Sequence, residues 1–168
     1  MEESRCPKCS EKISPVPVVI AKLVRDQFRE FRQERIAKIK NGVHPIELKD
    51  GPLTVLHILP ASFFDAERAP IDLDSIERER DSLAPLFSEG YNRSYSYEGY
   101  LTYAHEAPVK TYLQVLRRGG IEAVESSMIG SNGERKIIPS YSFEDGILTA
   151  LRNYFPSLNG SASSRRCF

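Results

Sequence analysis

The sequence predicts an α+β fold: a long N-terminal helix, a small antiparallel sheet of about four to five strands and a C-terminal amphipathic helix. Apolar residues recur at three- and four-residue spacing near both ends of the chain, the period of a helix that buries one face. Between them lie short β-branched and aromatic runs broken by Gly, Pro and Asn, the pattern of strands joined by turns. Helix, strands, helix is the order of a two-layer domain, with helices expected on one face of the sheet.

Residues 1–17 stand apart, holding Cys6-Pro7-Lys8-Cys9 and a polar stretch closed by Pro15 and Pro17. From Val18 to Lys40, Ile20, Val24, Phe28, Phe31 and Ile39, helped by Leu23 and Ile36, line one side of a helix of about six turns. Asn41-Gly42 stops it. The run Leu53-Thr54-Val55-Leu56-His57-Ile58-Leu59 reads as a strand covered on both faces and ended by Pro60. Residues 61–90 lack a sustained period, although Asp74 or Ser75 would cap a short helix running through Glu77 to Leu83. Tyr95 to Tyr103 reads as one strand, with Gly99 marking a bulge or a close approach of backbones. Lys110 to Arg117 and Ile121 to Ser126 form a hairpin about Gly119-Gly120. Lys136-Ile137-Ile138 adds a short edge segment before Pro139. In a final helix Phe143, Ile147, Leu148, Leu151, Tyr154 and Phe155 fall on one face, and Pro156 ends the segment. This gives a main domain over residues 18–158 and a polar, disordered tail over 159–168.

Lysine plus arginine and aspartate plus glutamate number 23 each, so the formal charge is zero. That balance disfavours a strongly basic protein that coats nucleic acid through many unopposed phosphate contacts. No apolar run approaches the ~20 residues of a membrane span, and the N-terminus opens no apolar signal core. Three cysteines do not make a disulfide framework and suit a reducing, cytoplasmic setting. The charge is nevertheless segregated. Residues 18–40 hold seven basic side chains against three acids, a local +4, and residues 65–90 hold eight acids against three arginines, a local −5. Such an acidic segment is expected to fold over the basic helix or to meet another subunit.

Four stretches carry a family likeness: Phe28 to Ile39, Leu53 to Pro60, Tyr97-Glu98-Gly99-Tyr100-Leu101, and Gln114 to Glu122. In order and spacing they resemble the region that follows the divergent AlbA-type (Schlafen-like) DNA-binding domain in bacterial proteins. There an FRxERIxxI helix precedes an LxLHxxP strand, and an RxGxIE hairpin follows. The likeness spans residues 25–156, and residues 1–24 are too short for the AlbA-type domain itself. The resemblance therefore implies an accessory module, with the family's nucleic-acid binding assigned to the missing domain.

Cys6 and Cys9 have the spacing of two zinc ligands, and zinc is the candidate cofactor. A closed site needs two more donors, from His44, His57, His105 or Cys167, or a second copy sharing one metal through its own pair. Arg25, Arg29 and Arg32 fall at i, i+4 and i+7, one helix face that would track a phosphate backbone, with Tyr95 and Tyr97 as stacking partners. The plainer reading of these arginines is a solvated face, and of the tyrosines ordinary strand packing. Catalytic signatures are lacking: the sequence holds no G-x-S-x-G, P-loop or G-x-G-x-x-G. His57 reads as a hydrogen-bonded core histidine. The expected function is a non-enzymatic binding or oligomerisation module of a nucleic-acid-associated or defence-type regulator, with a protein partner or a second copy. Direct nucleic-acid binding is the alternative, and a small hydrolase with an unrecognised site is a second one.

Overall fold

A computed structural model describes residues 18–132 and 135–163. The α+β architecture is as expected. Helix α1 (Val18–Lys40) is followed by β1 (Thr54–Ile58), a 3-10 turn (Ala61–Phe64), the short helix α2 (Leu73–Arg78) and a second 3-10 turn (Arg80–Ser82). Strands β2 (Tyr91–Tyr95), β3 (Gly99–Ala104), β4 (Thr111–Leu116) and β5 (Ile121–Glu125) come next. They join β1 in one antiparallel sheet of order β1-β5-β4-β3-β2. A separate hairpin of β6 (Gly130–Asn132) and β7 (Arg135–Ile137) leads into α3 (Ser140–Ser163).

Helices cover both faces of the sheet, so the expected two-layer arrangement is corrected to three layers. Leu113 and Val115 of β4, Ile121 and Ala123 of β5, and Tyr100 of β3 pack with Ile76 of α2 and Ala150 and Tyr154 of α3. The alternate residues Tyr112, Val124 and Leu101 pack on the other face with Ile39 of α1 and with Leu48 and Val109. Every residue of β4 and β5 is buried. Strands covered on both sides lose the in/out alternation that would reveal a second layer, and Tyr112-Leu113-Gln114-Val115-Leu116 shows none.

Local chemistry accounts for most boundaries. The α1 helix ends where Gly42 adopts φ +77°, with Val43 N donating to Lys38 O at 2.9 Å and Gly42 N to Ile39 O at 3.1 Å, a Schellman closure. The capping residue of α2 is Asp72, whose carboxylate accepts from Asp74 N at 3.1 Å, so this helix starts and ends earlier than its spacing suggests. Residues 95–103 are a hairpin and not one strand. Ser96 N donates to Gly99 O at 2.7 Å, closing a two-residue turn of Tyr97 and Glu98. Gly99 is a close-approach point, as expected, because a Cβ there would collide with the Val115 carbonyl oxygen. The α3 helix continues through Pro156 to Ser163, past the expected stop and into the segment expected to be a tail. A proline there removes one backbone donor; Pro156 and Arg152, whose carbonyl is freed, are both exposed to water.

Candidate polar cluster and arginine cleft

One side of α1 presents Phe31, Arg35 and Ile39 at four-residue intervals to the sheet. Arg35 is buried, and its guanidinium grips Glu122 of β5 through two parallel bonds, Nε to Oε2 and Nη2 to Oε1, each 2.8 Å. Glu122 has no exposed surface. His57 Nε2 of β1 donates to Oε2 at 3.0 Å, and the Tyr112 hydroxyl of β4 donates to Oε1 at 3.1 Å. Both carboxylate oxygens thus accept two bonds each, which fills the capacity of the group. The remaining Arg35 nitrogen, Nη1, donates to both oxygens of Glu98 at 3.0 Å. Glu98 sits on the β2–β3 turn and is half-exposed.

The electrostatics follow from this geometry. Burial pushes the Glu122 carboxyl up, but the Arg35 and His57 hydrogen bonds and the Arg35 charge outweigh it and hold the group down at about 2. The Arg35 guanidinium is raised by its hydrogen bond to Glu122 against the opposing effect of burial. The Tyr112 hydroxyl is raised by burial and by the Glu122 charge, so it stays a donor. Every member is occupied by another, and the cluster ties one face of α1 to three strands.

Above the cluster lies a cleft of about 370 Å³ walled by Phe31, Phe63 and Leu116 and rimmed by Tyr97, Arg117 and Arg118. Phe31 and Phe63 meet edge to face with centroids 5.1 Å apart. Arg118 lies 5.6 Å over the Phe63 ring and donates to Asp65 O at 2.6 Å, and Arg117 Nε donates to Tyr97 O at 2.8 Å. Gln114 Nε2 donates to Ser96 Oγ at 2.8 Å, which pins the turn carrying Tyr97 and Glu98. Tyr97 is 95% exposed on that fixed turn.

No family model, curated protein or solved structure matches the chain.

The residues singled out from the sequence fall in different places. Arg25, Arg29 and Arg32 are all exposed on α1, with Arg29 reaching Asp26 at 3.4 Å. Tyr95 is not beside them. It packs on Tyr100, donates to Glu77 of α2 at 2.6 Å, and so belongs to the opposite face of the sheet. That bond raises its hydroxyl to about 12. Tyr97 does lie along α1, sharing a second cleft with Arg35 and Lys38. Cys6, Cys9 and Cys167 lie outside the described residues. His57 is the hydrogen-bonded core histidine the sequence suggests, His44 Nδ1 donates to Ile46 O at 2.7 Å, and His105 pairs with Asn92 at 3.0 Å. Among the described residues no three His, Cys, Asp or Glu side chains form a metal-holding group. No helix among them is long and apolar enough to cross a membrane. The acidic stretch does not fold over α1: Asp72, Glu77 and Asp81 pair with Arg78, Arg93 and Arg80, and α2 packs on the far face. What α1 receives from this part of the chain is aromatic, Phe63 and Phe64 on Phe31.

Sequence reasoning missed Arg35, Glu122, Glu98 and Tyr112 as a unit. A signal was present, since Arg35 interrupts the apolar stripe four residues from both Phe31 and Ile39, and Glu122 and His57 sit in apolar strands.

Proposed function

We propose that this chain is a non-enzymatic binding and oligomerisation module of a bacterial, cytoplasmic, nucleic-acid-associated or defence-type regulator. Its docking face is the arginine cleft over Arg35, and its partner is a protein. The carrying observation is the saturation of the Arg35–Glu122–His57–Tyr112 cluster. A general base or nucleophile needs an uncommitted lone pair or proton within reach of substrate; here both Glu122 oxygens are filled and the carboxylate is wholly buried. That weighs against the hydrolase alternative at this site and favours a structural lock beneath a recognition surface. In and under the cleft, Arg35, Arg117 and Arg118 face Glu98 and Glu122, an excess of one positive charge that suits an acidic group beside an apolar or aromatic one. The order of the family-like motifs supports the same reading, because each contributes one member: Arg35, His57, Glu98 and Glu122.

The test is a photo-crosslinking amino acid in place of Tyr97 in cells. A discrete protein adduct that disappears when Arg117 and Arg118 become alanine is expected; the absence of any adduct sinks the reading. Direct nucleic-acid binding remains a second reading, favoured by the exposure of Arg25, Arg29 and Arg32. Filter binding decides it: retention of an oligonucleotide at ~50 mM salt that falls steeply as salt rises supports it, and no retention removes it.

A further inference from the structure

Helix α3 carries apolar residues on two sides. Ile147, Ala150, Leu151 and Tyr154 pack toward the sheet. On the outward side, Tyr141, Leu148 and Phe155 are 84%, 52% and 51% exposed. These three are spaced by seven residues, so each lies only about 20° around the helix from the next. They form one stripe about 21 Å long. Glu144 and Arg152 are exposed four residues before and after Leu148, within about 40° of the same line. Among the described residues neither has an ion-pair partner.

We infer that this stripe is a self-complementary seam, and that its occupant is α3 of a second copy of this chain, running antiparallel about a two-fold axis at Leu148. The argument is the mirror order of the residues. Reversal about Leu148 sets Tyr141 against Phe155 of the other copy, Leu148 against its own counterpart, and Glu144 at the level of Arg152. Both charges lie about 6 Å along the axis from Leu148, so the two sets meet twice in one interface. A parallel pairing would instead set Glu144 beside Glu144 and Arg152 beside Arg152, so the charges select the antiparallel arrangement. A two-fold interface uses one patch on both partners, which is the symmetry this stripe possesses. The sheet-facing residues Leu151, Ile147, Tyr154 and Ala150 lie about 60–160° around the helix from Leu148, so they flank the stripe on one side and are not part of it. Contact over ~21 Å of helix is small for a stable interface, so the dimer is weak and concentration-dependent.

This inference rests on reading the chain as an oligomerisation module and names the surface that does it. Sedimentation velocity from about 5 to about 500 µM tests it, with circular dichroism confirming the fold of each variant. Wild type shifts toward dimer across the range. Leu148→Glu, a change at an exposed position, weakens dimerisation at least about tenfold. Glu144→Arg and Arg152→Glu each weaken it, and the two together restore it, because the double exchange rebuilds both opposite-charge contacts. A dimer indifferent to Leu148→Glu refutes the seam while leaving oligomerisation through another face intact. A double exchange no better than either single one refutes the antiparallel register. A chain that stays monomeric at the highest concentration overturns both the seam and the oligomerisation reading, and leaves the Tyr97 crosslink to judge partner binding.

Discussion

Replacing Glu122 by glutamine removes one charge from the centre of the fold while keeping the side chain's size. Four donors point at the Glu122 carboxylate in the native protein: Arg35 Nε and Nη2, His57 Nε2 and the Tyr112 hydroxyl. An amide accepts at one atom only, so two of these donors face an NH2 group, and Arg35 keeps Glu98 as its only carboxylate. Breaking a buried pair from one side typically costs about 3–5 kcal/mol, since the surviving charge stays desolvated. The depressed Glu122 carboxyl gives a second figure. The distance between the ordinary value of 4.5 and the folded value of about 2 corresponds to roughly 3 kcal/mol of stabilisation of the ionised form. Both routes predict a loss of about 3–5 kcal/mol in urea unfolding, or roughly 6–20 °C in Tm for a chain of this size. A loss below about 1 kcal/mol would refute the reasoning, because it would mean that Arg35 reaches water in the folded state. Exchanging both partners for apolar residues, Arg35→Met with Glu122→Leu, is expected to recover only part of the loss, because the uncompensated charge is gone while His57 Nε2 and the Tyr112 hydroxyl lose their acceptor.

Three further outcomes are open to measurement. Because the folded Glu122 carboxyl titrates below its unfolded value, its contribution is complete above about pH 4.5 and is lost as pH falls toward about 2. The stability gap between wild type and Glu122→Gln should therefore narrow by roughly 3 kcal/mol across that window, and a gap that stays constant would show that the group is not ionised in the fold. Gly99→Ala drives a Cβ into the Val115 carbonyl oxygen and should destabilise the β2–β3 hairpin by more than about 1 kcal/mol, read by chemical unfolding and by loss of hydrogen-exchange protection at residues 99–104. Zinc shared by the Cys6 and Cys9 pairs of two copies requires about half an equivalent of metal per chain in purified protein, and less than that removes the site.

Elements with a single periodicity were legible in the sequence, and contacts between elements were not. The span of α1, the Gly42 stop and the β4–β5 hairpin follow from local spacing and turn chemistry that act within a few residues. The second helical layer was hidden because β4 and β5 are buried on both faces, which erases the alternation that marks a solvent side. Residues 95–103 misled for another reason: Tyr97 and Glu98 have the composition of a strand, and the turn there is set by Gly99 lying against the backbone of β4. Arg35 counted as one of seven basic residues on a helix, although its place on the apolar stripe marked it as different. A charged residue on a buried stripe demands a buried partner, and the buried strands offered few candidates, of which Glu122 was one.

The zero net charge has a corresponding structural meaning. The arginines of α1 and the acids around α2 lie on opposite faces of the sheet, and the local acids pair with local arginines. They do not neutralise each other across the domain. The buried pairing of opposite charge at the centre, Arg35 with Glu122, joins residues 87 positions apart and is what seats α1 on the sheet. Removing the α1 surface charges Arg25, Arg29 and Arg32 should therefore leave stability nearly unchanged, since solvated charges contribute little. Removing Arg35 from the same helix should unseat it. A triple alanine variant at the exposed positions and an Arg35→Ala variant, compared by chemical unfolding, separate the two kinds of arginine; equal losses would show that the stripe, and not the buried pair, holds the helix in place.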